Sequence, residues 1–565
     1  MVLAKSCRLT IGIFYVTVFI LAALVVIPAN ETKVDCESSN GTFSIMQITD
    51  TQYLTWKSPS LNYAMTEWIV NNSMNYNLKM VVHTGDLVDT PDHVSEWSVA
   101  NEAMMTLYNN GIPYCWTAGN HDQLPPNETA DRWVGDSNTD WLGSEYTAFN
   151  QTIMRRQSYW VSDIFNGKNT AVAFDYLNYN FLIINIEFLA NSSVLDWMET
   201  LIKCNPNANV IVATHDYLNQ TAGYGYGSTS NSGIVDYDWA NNLRTILDRH
   251  PNVFMAMSGH TASRRGAHKQ VGNRHETYFD LQESDNRTGA ASIRIFNFNI
   301  SSMQVDVSTY ALNREIWLND TYNQYNFSAS LKPYSPATVN VENTRFYNSK
   351  GNYVTFFGNA TLTSFSQYGD AITFNDLTLD GITTTFTVIT NSANMLMNSY
   401  DLNGWINYTV SESGHQTFYI NKAPASVLID GVATSECWNY SNGVLTITPS
   451  QSTVAISFAR SAVEPATTSS TPTQSTEQNK TSTKDEPAPQ PPSSANSNPT
   501  LSQTNLISWL KTNWPIIVVF TIMALSAIVA LRRTKLRSPA TSQSSILYVP
   551  QRIFGKALSI PLESM

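Results

Sequence analysis

Gly85-Asp86-Leu87-Val88-Asp89 and, further along, Gly119-Asn120-His121-Asp122 are the two stretches on which the reading of the fold turns. Each stands just after an apolar, strand-like run, as residues 80–83 do before Gly85. Three more motifs repeat the pattern: Asp50-Thr51-Gln52 after residues 43–48, Thr214-His215-Asp216 after 210–213, and Ser258-Gly259-His260-Thr261 after 253–257. Side chains leaving the carboxyl ends of several strands can converge on one edge of a sheet. A donor set of Asp, Asn and His suits divalent or trivalent ions such as Mn, Fe or Zn. Any one of these residues alone has a plainer explanation. Asp50 could cap a helix, Gly-Asp is a common turn pair, and His83 belongs to its strand.

Working outward, the strand runs alternate with helical periodicities at residues 61–76, 94–109, 194–204 and 239–249. Alternation of this kind predicts an α/β domain over residues 40–312. After Lys332 the runs become short and rich in β-branched and aromatic residues, as at 352–357, 371–374, 385–389, 426–429 and 444–447. Asp-Gly and Ser-Asn-Gly turns separate them, so residues 333–460 are expected to form an all-β sandwich with no catalytic constellation of its own. Residues 461–505 are Ser, Thr, Pro and Gln with almost no apolar side chains, which predicts a disordered stalk.

The ends point to a compartment. Lys5 and Arg8 precede an apolar run, and residues 1–29 read as a signal peptide or signal anchor. A second apolar run, 513–531, is long enough for a transmembrane helix and is followed at once by Arg532, Arg533, Lys535 and Arg537. That flank predicts a cytoplasmic tail at 532–565 and a single-pass protein of the cell membrane with its ectodomain outside. Sequons at Asn71, Asn219, Asn286, Asn359 and other positions suit a glycosylated cell-surface protein. Cys36, Cys115, Cys204 and Cys437 are spaced too widely for a zinc knuckle, and one or two structural disulfides are expected. The formal net charge of −12 and the lack of basic strips argue against a nucleic-acid-binding surface.

In order and spacing, the five motifs resemble those of the calcineurin-like metallophosphoesterase superfamily. The resemblance covers roughly residues 42–310 and implies a four-layer α-β-β-α sandwich with metal at the strand ends. It implies that Asp86 bridges two metals, that Asp50 holds the first, and that Asn120, His215 and His260 hold the second. His121 would stand beside the substrate as a catalytic residue, with Asp89 orienting it. The sequence departs from the family pattern twice: Gln52 and Ala262 occupy positions where the family usually has histidine. Both missing imidazoles would serve the first metal, leaving Asp50 and Asp86 with the Gln52 amide oxygen, so one or two ions per chain are expected. Asp236, His268, His275 and Glu283 are possible substitutes, and residues 223–228 could form a substrate loop.

These readings lead to an extracellular, metal-dependent phosphoric ester hydrolase that uses a water nucleophile. The substrate type is open between monoesters, diesters, nucleotides and phospholipid head groups. The competing reading is a catalytically weakened surface binding or adhesion protein on the same scaffold. The two missing imidazoles favour it, and the His121–Asp89 pair speaks against it.

Overall fold

The computed structural model describes residues 41–124, 141–225, 231–261, 263–391 and 394–458, and for 231–237 the backbone only. The segments expected at 1–29, 461–505, 513–531 and 532–565 lie outside the described residues, as do Cys36 and Ala262. Among the described residues no helix is long and apolar enough to cross a membrane.

Two mixed sheets face each other. In the first, β1 (Thr42–Ile48), β2 (Leu78–His83) and β3 (Tyr114–Trp116) run parallel. On its other side β1 pairs antiparallel with β11 (Ser292–Asn299), which continues the sheet through β12 (Gln304–Ala311). In the second, β6 (Tyr179–Ile186), β7 (Asn209–Thr214), β8 (Val253–Ser258) and β10 (Arg274–Tyr278) run parallel. The hairpin of β4 (Trp160–Ile164) and β5 (Asn169–Tyr176) joins one side, and β9 (Ala267–Val271) closes the other.

Strands such as β7 read as unbroken apolar runs because both of their faces are covered. Ile211 and Ala213 face the first sheet in the central core with Phe43, Met80, Val82 and Phe181. Val210 and Val212 face outward onto helices α5 (Ser192–Cys204) and α6 (Asn231–Leu247), where they meet Trp197, Leu201 and Leu243. On the far side of the first sheet, Met46, Ile48 and Val81 pack on α1 (Gln52–Lys57), α2 (Pro59–Asn72) and α3 (Val94–Asn109) through Leu54, Met65, Ile69 and Trp97. A short turn, α4 (Gln151–Met154), adds Met154 to that core. The result is the four-layer α-β-β-α stack. Trp97 is fully buried in that core, whereas Trp56 is 54% exposed.

Beyond Val339 two further sheets stack face to face. Their central members are β13 (Ala371–Leu379) and β14 (Ile382–Asn391) in one, and β15 (Met395–Tyr400) and β16 (Trp405–Val410) in the other. Period-2 alternation places Phe374, Phe386, Val388, Met397, Ile406 and Tyr408 between them. Three hairpin turns have the left-handed backbone that a type I′ turn needs, at Asp380-Gly381 (φ 50 and 80), Asp430-Gly431 (φ 50 and 79) and Asn442-Gly443 (φ 51 and 81). This domain is tied to the α/β region through β4 and α5. Gln367 Nε2 donates to the Asp163 carbonyl (2.7 Å), Phe165 N to the Ser349 carbonyl (2.9 Å) and Thr200 Oγ1 to the Arg345 carbonyl (2.9 Å).

The disulfide expectation is corrected. Cys115, Cys204 and Cys437 are free thiols. Cys115 lies in β3 within the inter-sheet core and Cys204 at the end of α5, and both behave as small apolar side chains. Burial pushes both thiols up to about 12, which keeps them protonated.

Candidate metal centre

Because β1, β2, β7 and β8 all run in one direction across the two facing sheets, their carboxyl ends share an edge, and the motif side chains meet there. Asp86, His215 and His260 each present a ligand atom, all within 4.8 Å of one another. His215 Nε2 stands 3.2 Å from Asp86 Oδ1, 3.2 Å from Asn120 Oδ1 and 3.1 Å from His260 Nδ1. The tautomer follows from the other ring atom: His215 Nδ1 is 2.8 Å from the Thr84 carbonyl and must donate to it. In neutral His215, Nε2 is therefore a lone pair aimed at a carboxylate oxygen and an amide oxygen. With His215 neutral these acceptors need a cation between them, and with His215 protonated its Nε2–H donates to Asp86 instead. This buried N and O set fits a transition-metal ion.

The electrostatics agree. Burial alone would depress His215, but the Asp86 and Asp50 charges lift it to about 10. Burial alone would raise Asp86, yet His215 and then His121 hold its carboxyl far below the usual range. Burial and then His215 press His260 down to about 3. Asp50 is raised, by burial and then by the Asp280 charge. A proton on His215 here does the work that a metal ion would do better.

The local backbone is built for this convergence. Asp50, Asp86 and His260 all adopt left-handed φ values of 51, 55 and 78°. Such values are uncommon for residues with side chains and collect at functional sites. Gly119 passes so close to Asp86 that a Cβ there would overlap the carboxylate. Asp50 is held by a buried chain: Gln47 Nε2 donates to Thr84 Oγ1 (3.0 Å), Thr84 to Thr49 Oγ1 (2.7 Å), and Thr49 to Asp50 Oδ2 (2.5 Å). Asp122 clamps the two central loops together, accepting from Leu87 N (2.8 Å), Val88 N (3.1 Å) and Gly119 N (2.8 Å).

His121 sits at the rim. Its Nδ1 donates to the Asp89 carbonyl (2.8 Å) with the Asp89 carboxylate 3.4 Å away, and its Nε2 lies 4.0 Å from Asp86 Oδ2. The Asp89 main chain is fixed in turn, since Asp89 N and Thr90 N donate to buried Glu96 (2.8 and 2.9 Å). Gln52 enters the centre as a donor: its Nε2 is 3.2 Å from Asp86 Oδ2 and 3.0 Å from Gln282 Oε1, while its Oε1 is buried without a hydrogen-bond partner. The Asn120 Nδ2 group is likewise buried without a hydrogen-bond partner. His83 stays in its strand as expected, accepting from Gly85 N (3.2 Å) and bonded to Thr51 Oγ1 (2.9 Å).

The suggested substitutes for the missing imidazoles are not at the centre. His268 and His275 bond to each other (3.1 Å) and stack on Phe327, with centroids 5.3 and 4.0 Å away. Glu283 pairs with Arg287 at the surface, and the Asp236 side chain lies outside the described residues. In the expected substrate loop, Tyr224 is anchored instead, donating to buried Glu276 (2.9 Å), and residues 226–228 lie outside the described set. Two residues that sequence reasoning missed do reach the centre. Gln282 Nε2 donates to Asp50 Oδ1 (3.2 Å) and Asp280 Oδ2 (3.0 Å). The legible signal was that Asp280-Leu281-Gln282 repeats the Asp-x-Gln pattern of Asp50-Thr51-Gln52 just after a strand.

A two-sheet α/β stack with an Asp, Asn and His cluster at its strand ends defines a metallophosphoesterase-type domain. Residues 43–264 match the family model described as calcineurin-like phosphoesterase. The uncharacterized protein YvnB of Bacillus subtilis (strain 168) is 27% identical over 317 residues, 52% of this chain. This chain spans only 22% of the length of that curated relative. Purple acid phosphatase PPD1 from yellow lupin (Lupinus luteus) seeds is a similar solved structure, 14% identical over 51% of this chain and 54% of its own, with a TM-score of 0.34. Another is GAP50, the anchor in the inner membrane complex of Plasmodium, 12% identical over 52% of this chain and 89% of its own, with a TM-score of 0.33.

Proposed function

We propose that this chain hydrolyses phosphoric esters at the strand-end centre, on the outer side of a cell membrane. The observation that carries the reading is the convergence of Asp86, Asn120, His215 and His260 on one point, with His121 held at its rim. Asp50, Gln52 and Asp86 would hold a first ion, and Asp86, Asn120, His215 and His260 a second, drawn from Mn, Fe or Zn. A bound divalent cation supplies positive charge that polarises a phosphoryl group and makes water a stronger nucleophile near neutral pH. The protein's own part is positioning and proton transfer. Asp86 and Asp50 orient the centre through their fixed, strained backbones. With Nδ1 donating to the Asp89 carbonyl, it is Nε2 of His121 that would serve the reaction, handing its proton to a leaving alkoxide from the imidazolium form and leaving the neutral Nδ1–H tautomer behind.

The test is hydrolysis of a chromogenic phosphate diester and monoester by the full-length protein, with metal content per chain measured alongside. Turnover that depends on added Mn, Fe or Zn supports the reading. Metal uptake with no turnover on either substrate favours the alternative of a surface binding protein, which the inward-facing Gln52 amide nitrogen also suits. The outward location rests on the terminal segments and on exposed sequons. Asn71, Asn286, Asn319, Asn326, Asn359 and Asn439 are solvent-facing, whereas Asn219 is buried with its Nδ2 bonded to the Gly225 carbonyl (2.8 Å). Removal of N-glycans by an endoglycosidase should shift the mobility of the native protein, and an unchanged band would count against an exported chain.

A further inference from the structure

We infer that Asp280 completes a second cation position made of oxygen donors only, beside the histidine-rich one. The inference rests on reading this edge as a metal centre and concerns which of the chain's residues build its poorer half.

Topology delivers the residue. The strand β10 runs parallel to β8, and Phe279 N donates to the Ser258 carbonyl (3.0 Å), so Asp280 leaves its strand on the same edge as His260. The Gln282 amide then ties the pieces together. Its nitrogen reaches Asp50 Oδ1 (3.2 Å) and Asp280 Oδ2 (3.0 Å), so both carboxylates face one point, and its main-chain N–H holds Asp280 Oδ1 (2.8 Å). Its oxygen accepts from Gln52 Nε2 (3.0 Å), which also reaches Asp86 Oδ2 (3.2 Å). Asp50 and Asp280 are fully buried and Asp86 nearly so. Among the described residues no Lys or Arg pairs with any of the three. Asp86 meets His215 and His121, but Asp50 and Asp280 are gathered around neutral amides, where a buried carboxylate charge is costly unless a cation joins it.

A second observation points the same way. Gln52 Oε1 is buried and has no hydrogen-bond partner. Turning that amide over gives up its bonds to Gln282 and Asp86 and places its oxygen where the nitrogen now stands, beside Gln282 Oε1 and Asp86 Oδ2, oxygens that a cation would join. The position would then be lined by Asp50, Asp86, Asp280 and Gln52, all through oxygen. Oxygen donors select hard cations such as Mg²⁺ or Mn²⁺, whereas His215 and His260 favour Zn²⁺ or Fe. The two halves therefore differ in metal preference, and Asp280 takes the place of an imidazole that the chain lacks.

The experiment uses full-length protein stripped by chelation, loaded with one equivalent of Zn²⁺ and titrated with Mn²⁺ under electron paramagnetic resonance. Wild-type protein is expected to take up Mn²⁺ after Zn²⁺, with no coupling from directly bound nitrogen at the Mn²⁺. Asp280→Asn is expected to weaken Mn²⁺ uptake by ~10-fold or more, at the lower end of what altered metal surroundings cost, with Zn²⁺ stoichiometry kept. Nitrogen coupling at the bound Mn²⁺, or unchanged uptake in a folded Asp280→Asn protein, overturns the inference. Zn²⁺ bound but no Mn²⁺ also overturns it, while leaving the histidine-rich site standing. Uptake of neither ion sinks the metal-centre reading itself. The nitrogen signal is read on wild-type protein, so it decides the matter even if the variant fails to fold.

Discussion

The strand-end edge of the α/β region and the core of the β domain are both buried, yet they are filled by opposite chemistry. At the edge, Asp50, Asp86, Asn120, Asp122, His215, His260 and Asp280 are packed together with little or no exposure. Between the two sheets beyond Val339 the core is Phe, Tyr, Ile, Val, Leu and Met. Among the described residues there, the buried polar ones, such as Asn348, Gln367 and Gln416, are all uncharged. A protein that buries seven ionisable or amide side chains at one edge forgoes stability there, because desolvating charge costs more than burying hydrocarbon. Among the described residues the β domain has no such edge. Function and stability are thus assigned to different places in the chain, and that division can be attacked experimentally.

The harshest attack is Asp86→Asn. Asp86 meets His215, the His121 main chain and Gln52, so removing its charge should empty the centre of metal and take turnover to background; elemental analysis and diester hydrolysis check both. Next, His121→Ala should lower turnover by ~10²–10⁴-fold, the usual range for a lost acid–base group, with metal content unchanged. A matched loss of metal would instead mean that His121 belongs to the ligand set.

On the other side of the comparison, Phe374→Ala removes a ring packed against Phe346 and Phe356, with centroids 5.0 and 4.9 Å away. It should cost about 3–5 kcal/mol of stability by chemical denaturation, as large aromatic truncations do, while turnover of the folded protein stays as it was. A fall in turnover would show that the β domain reaches the chemistry. Chelation should lower the Tm, and restoring metal at ~100-fold above its Kd should return about 2.7 kcal/mol. The smallest change expected is from Arg345→Ala. Its 2.7 Å pair with Asp196 joins two half-exposed side chains across the domain junction, so about 0–1 kcal/mol is at stake.

Much of this was legible in the chain, and particular residues show why. The helix at Val94–Asn109 and the strand at Val444–Ile447 were predicted to their end residues, because apolar periodicity reports burial directly. The motifs around Asp50, Asp86, Asn120, His215 and His260 stood out because each follows an apolar strand. Asp280 did not stand out. Its strand, Arg274–Tyr278, carries Arg, His, Glu and Thr, which reads as surface; in the fold all of its residues are buried, with Glu276 held by Tyr217 and Arg274. The disulfide expectation failed for a related reason, since cysteine spacing says nothing of which core each thiol enters.

Sequence alone therefore carried the fold class, the division into an α/β and a β region, and the candidate ligands Asp86, His215 and His260, because these depend on local pattern and side-chain chemistry. It could not carry the partnership of Asp50 with Asp280, or of Gln52 with Gln282. Those contacts span more than two hundred residues, and they exist only because parallel strands from two facing sheets end at one edge, where side chains that are strangers in sequence must share a single buried space.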